Sequence, residues 1–188
     1  MKKIFKILIV IMLFACLVGC ADSEVKKTVE NCLNAYKTGD ILLAESYMTG
    51  IENENLMELG QKDLDLFSEA FTYLEYEITG VDVESKSAKA KVKIKVKDMP
   101  KANGMLIDEI FRLSLKESKS GFDIEAELKN LYEKFLLEVG YVEAELDVEL
   151  VKEDDKWKIK PNYDFKNKIT GGLYSSVGIK AETDDTKE

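Results

Sequence analysis

The residues that could do chemistry in this 188-residue chain are few, and their types narrow what that chemistry could be. There is no histidine, one arginine (Arg112) and three cysteines, Cys16, Cys20 and Cys32. Zinc sites draw on histidine and cysteine in clusters, so a zinc centre has almost nothing to be built from. Acidic residues are plentiful, 36 in all, but no Asp-x-Asp-x-Asp-Gly loop gathers them for calcium. The sequence therefore predicts no metal and no cofactor. Cys32 stands in the helical stripe Val25, Val29, Cys32, Leu33, Tyr36, where an unpaired thiol acts as a small hydrophobe rather than a nucleophile. Asp63, Asp82 and Asp108 are the carboxylates left as conceivable general bases, and Asp63 and Asp108 fit solvated helix positions equally well.

Cys20 is different because of what precedes it. Lys2, Lys3 and Lys6 lead into about twelve uncharged residues, Ile7 to Val18. That run is shorter than the roughly 20 apolar residues of a membrane-spanning helix. It has the basic start, apolar middle and small-residue end of a signal peptide. Leu17-Val18-Gly19-Cys20 resembles the bacterial lipobox. The resemblance implies a diacylglyceryl group, carrying fatty acids such as palmitate, on the Cys20 thiol, and cleavage between Gly19 and Cys20. Two long acyl chains hold a protein far more firmly than the marginal single chain, at about 0.8 kcal/mol per buried methylene. The expected organisation is a signal peptide at 1–19, a lipidated cysteine and short tether at 20–24, one domain at 25–175 and a polar acidic tail at 176–188. The expected location is the extracytoplasmic face of a cell membrane. With Cys16 removed and Cys20 alkylated, Cys32 is left alone and no internal disulfide can form, despite an oxidising exterior.

Loss of Lys2, Lys3 and Lys6 from 27 basic residues leaves 24 against 36 acidic ones, a net charge of about −12. Such a surface repels phosphate backbones and anionic headgroups. Nucleic acid is excluded as a partner, and contact with the bilayer is expected through the lipid alone.

The elements that would position any site follow from periodicity. Ser23 is placed to cap a helix running to Lys37, Gly39 to stop it, and Asp40 to cap the next. After a break at Thr49-Gly50, Leu56, Leu59, Leu64, Phe67 and Phe71 predict a third helix from about 53 to 70. Strict alternation then marks strands. Lys89, Lys91, Lys93, Lys95 and Lys97 form a basic comb opposite Ala90, Val92, Ile94 and Val96. Glu143, Glu145, Asp147 and Glu149 form an acidic comb opposite Val142, Ala144, Leu146, Val148 and Leu150. Glu75, Glu77, Asp82 and Glu84 form a weaker acidic comb, with Gly80 as a bulge that shifts the phase. Lys156, Lys158 and Lys160 follow the turn at Asp154-Asp155, with Trp157 and Ile159 facing in. Like charges directly opposite destabilise a strand pair, so acidic strands should lie beside basic ones. The expected outcome is an antiparallel sheet with a Lys and Glu chequerboard outside, a face suited neither to dimerisation nor to an apolar ligand, and hence a monomer. Between the second and third strands, Leu106, Ile110 and Leu113 predict one helix. Ile124, Leu128, Leu131, Phe135 and Val139 predict another, and Asp164 to Lys168 a helical turn ended by Gly171-Gly172.

Helix, "TGD", helix, long strands and a terminal "LVKEDDKWKIKP" resemble lipoproteins of the nuclear transport factor 2-like superfamily, relatives in fold of ketosteroid isomerase. The resemblance implies an α+β fold: N-terminal helices on the concave face of a curved antiparallel sheet of about four strands, with a helical insert between strands two and three. That insert, from about Pro100 to Val139, is longer here than in the compact form of the fold. Enzymes of this kind need a carboxylate in an apolar cavity and a donor for the oxyanion, whereas the inward positions here read as apolar throughout. A non-catalytic binding or accessory module is therefore expected. A protein-binding inhibitor of immunity type, with an envelope or secreted protein as partner, is the alternative, and an isomerase or dehydratase the third reading. Phe71, Tyr76, Phe111, Tyr132, Phe135, Tyr141 and Trp157 are the residues expected either to line a cavity between sheet and helices or to fill it.

Overall fold

The computed structural model describes residues 21–50, 68–114, 124–176 and 178. The first helix, α1 (21–37), buries Val25, Val29, Cys32, Leu33 and Tyr36 completely, the stripe that the i, i+3, i+4 spacing predicts. It ends at Gly39, whose φ of +75° is one that side chains resist. The Gly39 amide bonds the Tyr36 carbonyl at 2.8 Å and the Asp40 amide bonds that of Ala35 at 2.9 Å, the paired closure of a Schellman motif. Asp40 then caps α2 (Ile41–Ser46), its Oδ1 accepting from the Leu43 amide at 2.9 Å. Ser23 does not cap α1. The chain is already helical at Ala21, nothing in Ala21-Asp22 breaks the helix, and residues 21–24, expected as a tether, are part of it.

A short helical segment, α3 (68–71), leads into the sheet, and the remainder of the helix expected at 53–70 lies outside the described residues. The strands are β1 (Glu75–Glu84), β2 (Ser87–Lys97), β3 (Tyr141–Glu153) and β4 (Lys156–Ile159). They form one curved antiparallel sheet in the order β1-β2-β3-β4. The charge combs meet as expected: Lys89, Lys91, Lys93 and Lys95 stand opposite Glu149, Asp147, Glu145 and Glu143 on one side. On the other, Lys89, Lys93 and Lys95 stand opposite Asp82, Glu77 and Glu75. The register shifts between Ile78 and Gly80. That one-residue slip keeps odd-numbered Glu75 and Glu77 on the same face as even-numbered Asp82 and Glu84. β4 pairs only with Leu150–Glu153, so Lys156 meets Glu153 directly while Lys158 meets Val151.

Between β2 and β3 run α4 (Met99–Ser114) and α5 (Ile124–Glu138). After β4 come α6 (Tyr163–Ile169), capped by Asn162, and the short α7 (Leu173–Ser176). Gly171 and Gly172, with φ of +61° and +95°, make the turn between them. The tail beyond residue 178 lies outside the described residues.

The core has two parts. The concave inner face of the sheet packs Ala90, Val92, Ile94, Val96, Leu146, Val148, Leu150, Trp157 and Ile159 against α1, α2, Phe71 and the α6 residues Phe165 and Ile169. The insert makes a second cluster from Met99, Ala102 and Leu106 of α4 and Tyr132, Phe135, Leu136 and Val139 around α5, joined by Ala70 and Leu173 from the body. Each fully buried large apolar side chain in either cluster stabilises by roughly 1.5–3 kcal/mol.

Candidate functional site

Cys20 lies outside the described residues, but its neighbour Ala21 is the first residue of α1. An anchor on Cys20 is thus fixed to the start of a helix about 25 Å long at 1.5 Å per residue. The other end of α1 is tied to the sheet and the insert. Tyr36 lies 4.9 Å from Phe71, ring centre to ring centre, and the Tyr76 hydroxyl donates to Asn34 Oδ1 at 2.9 Å. Ala70, next to Phe71, belongs to the insert's cluster. Anchor and insert therefore sit at opposite ends of α1. Among the described residues no helix is long and apolar enough to cross a membrane.

The inner face offers no titratable group to a substrate. Cys32 is fully buried, its Sγ 3.5 Å from the Ala44 carbonyl oxygen, and burial pushes its thiol up, away from the reactive thiolate. Burial likewise pushes the Tyr36 hydroxyl well up. Asp82 pairs with Lys89 on the outer face, Asp108 is exposed on α4, and Asp63 lies outside the described residues.

The clearest concavity is on the outer face, over the end of the sheet nearest the insert. It is a trough of about 500 Å³ bounded by Glu75, Tyr76, Glu77, Lys93, Ile94, Lys95, Glu143, Ala144 and Glu145. Three neighbouring strands supply its floor. Its walls are two acidic columns with a lysine column between them, so four carboxylates face two ammonium groups. Lys95 Nζ is 3.2 Å from Glu75 Oε1 and lies 4.6 Å from the Tyr141 ring centre. Among the described residues no group of three or more histidine, cysteine or acidic residues is placed to hold a metal ion.

Lys97, expected as a solvated tooth of the basic comb, is instead buried, with 5% of its surface exposed. Its Nζ donates to the Val139 carbonyl at 3.2 Å and lies 4.3 Å from the Tyr141 ring centre and 4.8 Å from that of Tyr73. The period-two pattern put Lys97 on the correct face, but there the insert returns over the sheet and the two tyrosines roof it. Aromatic faces and a carbonyl replace part of the water that the ammonium gives up.

The seven aromatic residues singled out as pocket candidates are divided. Phe71 and Trp157 fill the main core and Tyr76 packs against it half-buried. Tyr132 and Phe135 fill the insert's cluster. Tyr141 is partly exposed at the Lys95 and Lys97 corner, and Phe111 stands 65% exposed on α4. They do not enclose one cavity. The trough was missed because a charge comb reads as a solvated surface. The available signal was that three combs of matched length must leave long side chains standing in parallel rows.

No protein-family model matches the chain, and no curated protein matches it. The functional reading therefore rests on its own residues.

Proposed function

We propose that this chain is a lipoprotein held by a diacylglyceryl group on Cys20 at the extracytoplasmic face of the cell membrane, and that its domain is a non-catalytic binding module of the nuclear transport factor 2-like type. The observation that carries the non-catalytic reading is the inner face of the sheet. Where the resembling enzymes hold their base, this chain buries Val92, Ile94, Val96, Leu146, Val148 and Leu150 against helices. An apolar, filled face supplies neither a carboxylate to take a proton nor a donor to an oxyanion.

The anchor reading rests on Leu17-Val18-Gly19-Cys20 and is supported by the geometry that follows it. A helix starting at Ala21 holds the start of α1 close to the bilayer and leaves the insert at the far end, towards the cell exterior. The same arrangement favours a protein partner. Ile107, Ile110 and Phe111 are exposed along one side of α4, so an inhibitor of immunity type, using the insert against an envelope or secreted protein, is the second reading.

Feeding cells a clickable fatty acid tests the anchor: the wild-type protein should be labelled and Cys20→Ala should accumulate unlabelled at precursor length. Equal labelling of both, or release of the wild type into the medium, would refute it.

A further inference from the structure

The two edges of the sheet are treated differently. At β4 the chain closes its own edge: Met48 bridges Ile159, the Thr49 amide donates to the Ile159 carbonyl at 2.9 Å, and the Ile159 amide donates to the Tyr47 carbonyl at 2.9 Å. At β1 no such cover exists among the described residues; β2 is its one hydrogen-bonded neighbour along ten residues.

An open edge presents a row of amides and carbonyls to any extended chain, and proteins usually blunt it with lysine, proline or a bulge. β1 has the bulge at Ile78/Gly80 and neither of the others. Its outward side chains Glu75, Glu77, Asp82 and Glu84 are all acidic, and its inward row, Tyr76, Ile78, Val81 and Val83, is only partly buried. A strand laid against β1 would thus meet a hydrogen-bond ladder, an apolar row on one face and an acidic row on the other. The sheet already shows what satisfies this edge, because on its inner side β1 is paired with a strand that alternates lysine and apolar residues.

We propose that β1 is the acceptor edge for strand addition by a partner protein's extended segment, one that carries Lys or Arg at alternate positions with β-branched residues between them. This deepens the binding-module reading and rests on it. A second copy of this chain does not fit: its open edge is the same acidic strand, and like charges directly opposite destabilise a pair. Its one strand rich in lysine is internal, and its β4 edge is closed. Main-chain bonds would give affinity and the alternating charges would choose the partner.

The test uses the full chain in detergent micelles and a fluorescent peptide with the 11-residue sequence of β2, Ser87–Lys97. The peptide should bind saturably, and amide exchange should slow at 75–84. Changing its lysines to glutamate should weaken binding by about tenfold or more, the loss of several cross-strand pairs at once. N-methylation of one alternate set of its amides should abolish binding while the other set is tolerated, because an antiparallel strand sends successive N–H groups to opposite sides. Equal binding by both methylated peptides would mean mere attraction to an acidic surface, and would overturn the proposal. So would absent binding, or protection gained elsewhere than β1. Protection of β1 by dimerisation without peptide would assign the edge to a second copy and overturn it as well. An acylated protein that crosslinks in cells to an envelope partner through residues outside β1 would keep the binding-module reading and defeat this one.

Discussion

Gly171 is the position where one methyl group should do the most damage. A Cβ built there lies 2.2 Å from the Lys97 carbonyl oxygen and 3.4 Å from Val96 Cγ2. Ordinary carbon-to-oxygen contacts begin near about 3.3 Å, so roughly 1 Å must be found by moving backbone against backbone. One side of the clash is the end of β2, held by its pairing with β3. The other is the α6–α7 turn, closed by the Gly171 amide to Lys168 at 2.9 Å and the Gly172 amide to Asn167 at 2.7 Å. Overpacking of this kind costs about 1–3 kcal/mol, and a left-handed φ costs a side chain about 1–2 kcal/mol more. Part of that is offset by the smaller entropy of the unfolded Ala chain, about 0.4–1 kcal/mol. Gly50→Ala isolates the φ term, since Gly50 has φ +77° and nothing within 4 Å of its Cβ position. The expected losses are about 1 kcal/mol for Gly50→Ala and about 3 kcal/mol for Gly171→Ala. At 2–4 °C per kcal/mol for a domain of this size, the second is a fall in Tm of about 6–12 °C. Urea and thermal unfolding of the chain from Ala21 would measure both. Losses equal to within ~0.5 kcal/mol, the usual scatter of surface substitutions, would show that the turn does not press on β2.

Replacing residues 101–139 by a short Gly/Ser linker should leave the sheet and α1 folded, because the insert's cluster draws only Ala70 and Leu173 from the body. Amide exchange across β2 and β3 would check this, and global unfolding would show that the two clusters are one cooperative unit. Alkaline pH should destabilise the domain. Cys32, Tyr36 and Tyr132 have their folded pKa values raised by burial above ordinary values of 9.0, 10.0 and 10.0. Above those values the unfolded chain gives up protons that the folded one retains, so stability, fully present below about pH 9, falls as pH rises. Each group should contribute a slope of about 1.4 kcal/mol per pH unit. A urea midpoint unchanged between pH 8 and pH 11 would contradict the burial of all three.

How much of this was legible depended on whether the signal was local. Alternation fixes a strand's two faces within a few residues, and charge opposition then limits which strands can be neighbours. The four combs accordingly yielded strand identity, order and the bulge at Gly80. Gly39 and Asp40 could be read because a left-handed stop and an N-cap are made by the residues themselves. Ser23 misled because a good capping residue does nothing where the helix has already begun.

Lys97 shows the limit most clearly. Its sequence neighbours are the same as those of Lys93, yet Lys93 stands exposed in a trough while Lys97 is roofed by Tyr73 and Tyr141. Nothing within ten residues distinguishes them, because the roof arrives from the end of the preceding helix and from a strand that begins 44 positions later. Phe111 is the converse case: an aromatic residue that helical period would send inward is exposed on α4, because the insert's cluster is closed by Leu106, Tyr132 and Leu136 without it. In both cases burial is decided by which element returns over which. That has a consequence for the binding-module reading. The features that could meet a partner here, the β1 edge, the charged trough and the α4 row, are the surfaces left over after the local patterns have satisfied themselves. Residues that alternate or stripe cleanly account for the core. Those that do so and yet remain uncovered, as Tyr76, Ile78, Val81 and Val83 partly do, mark where the fold has room for one more strand.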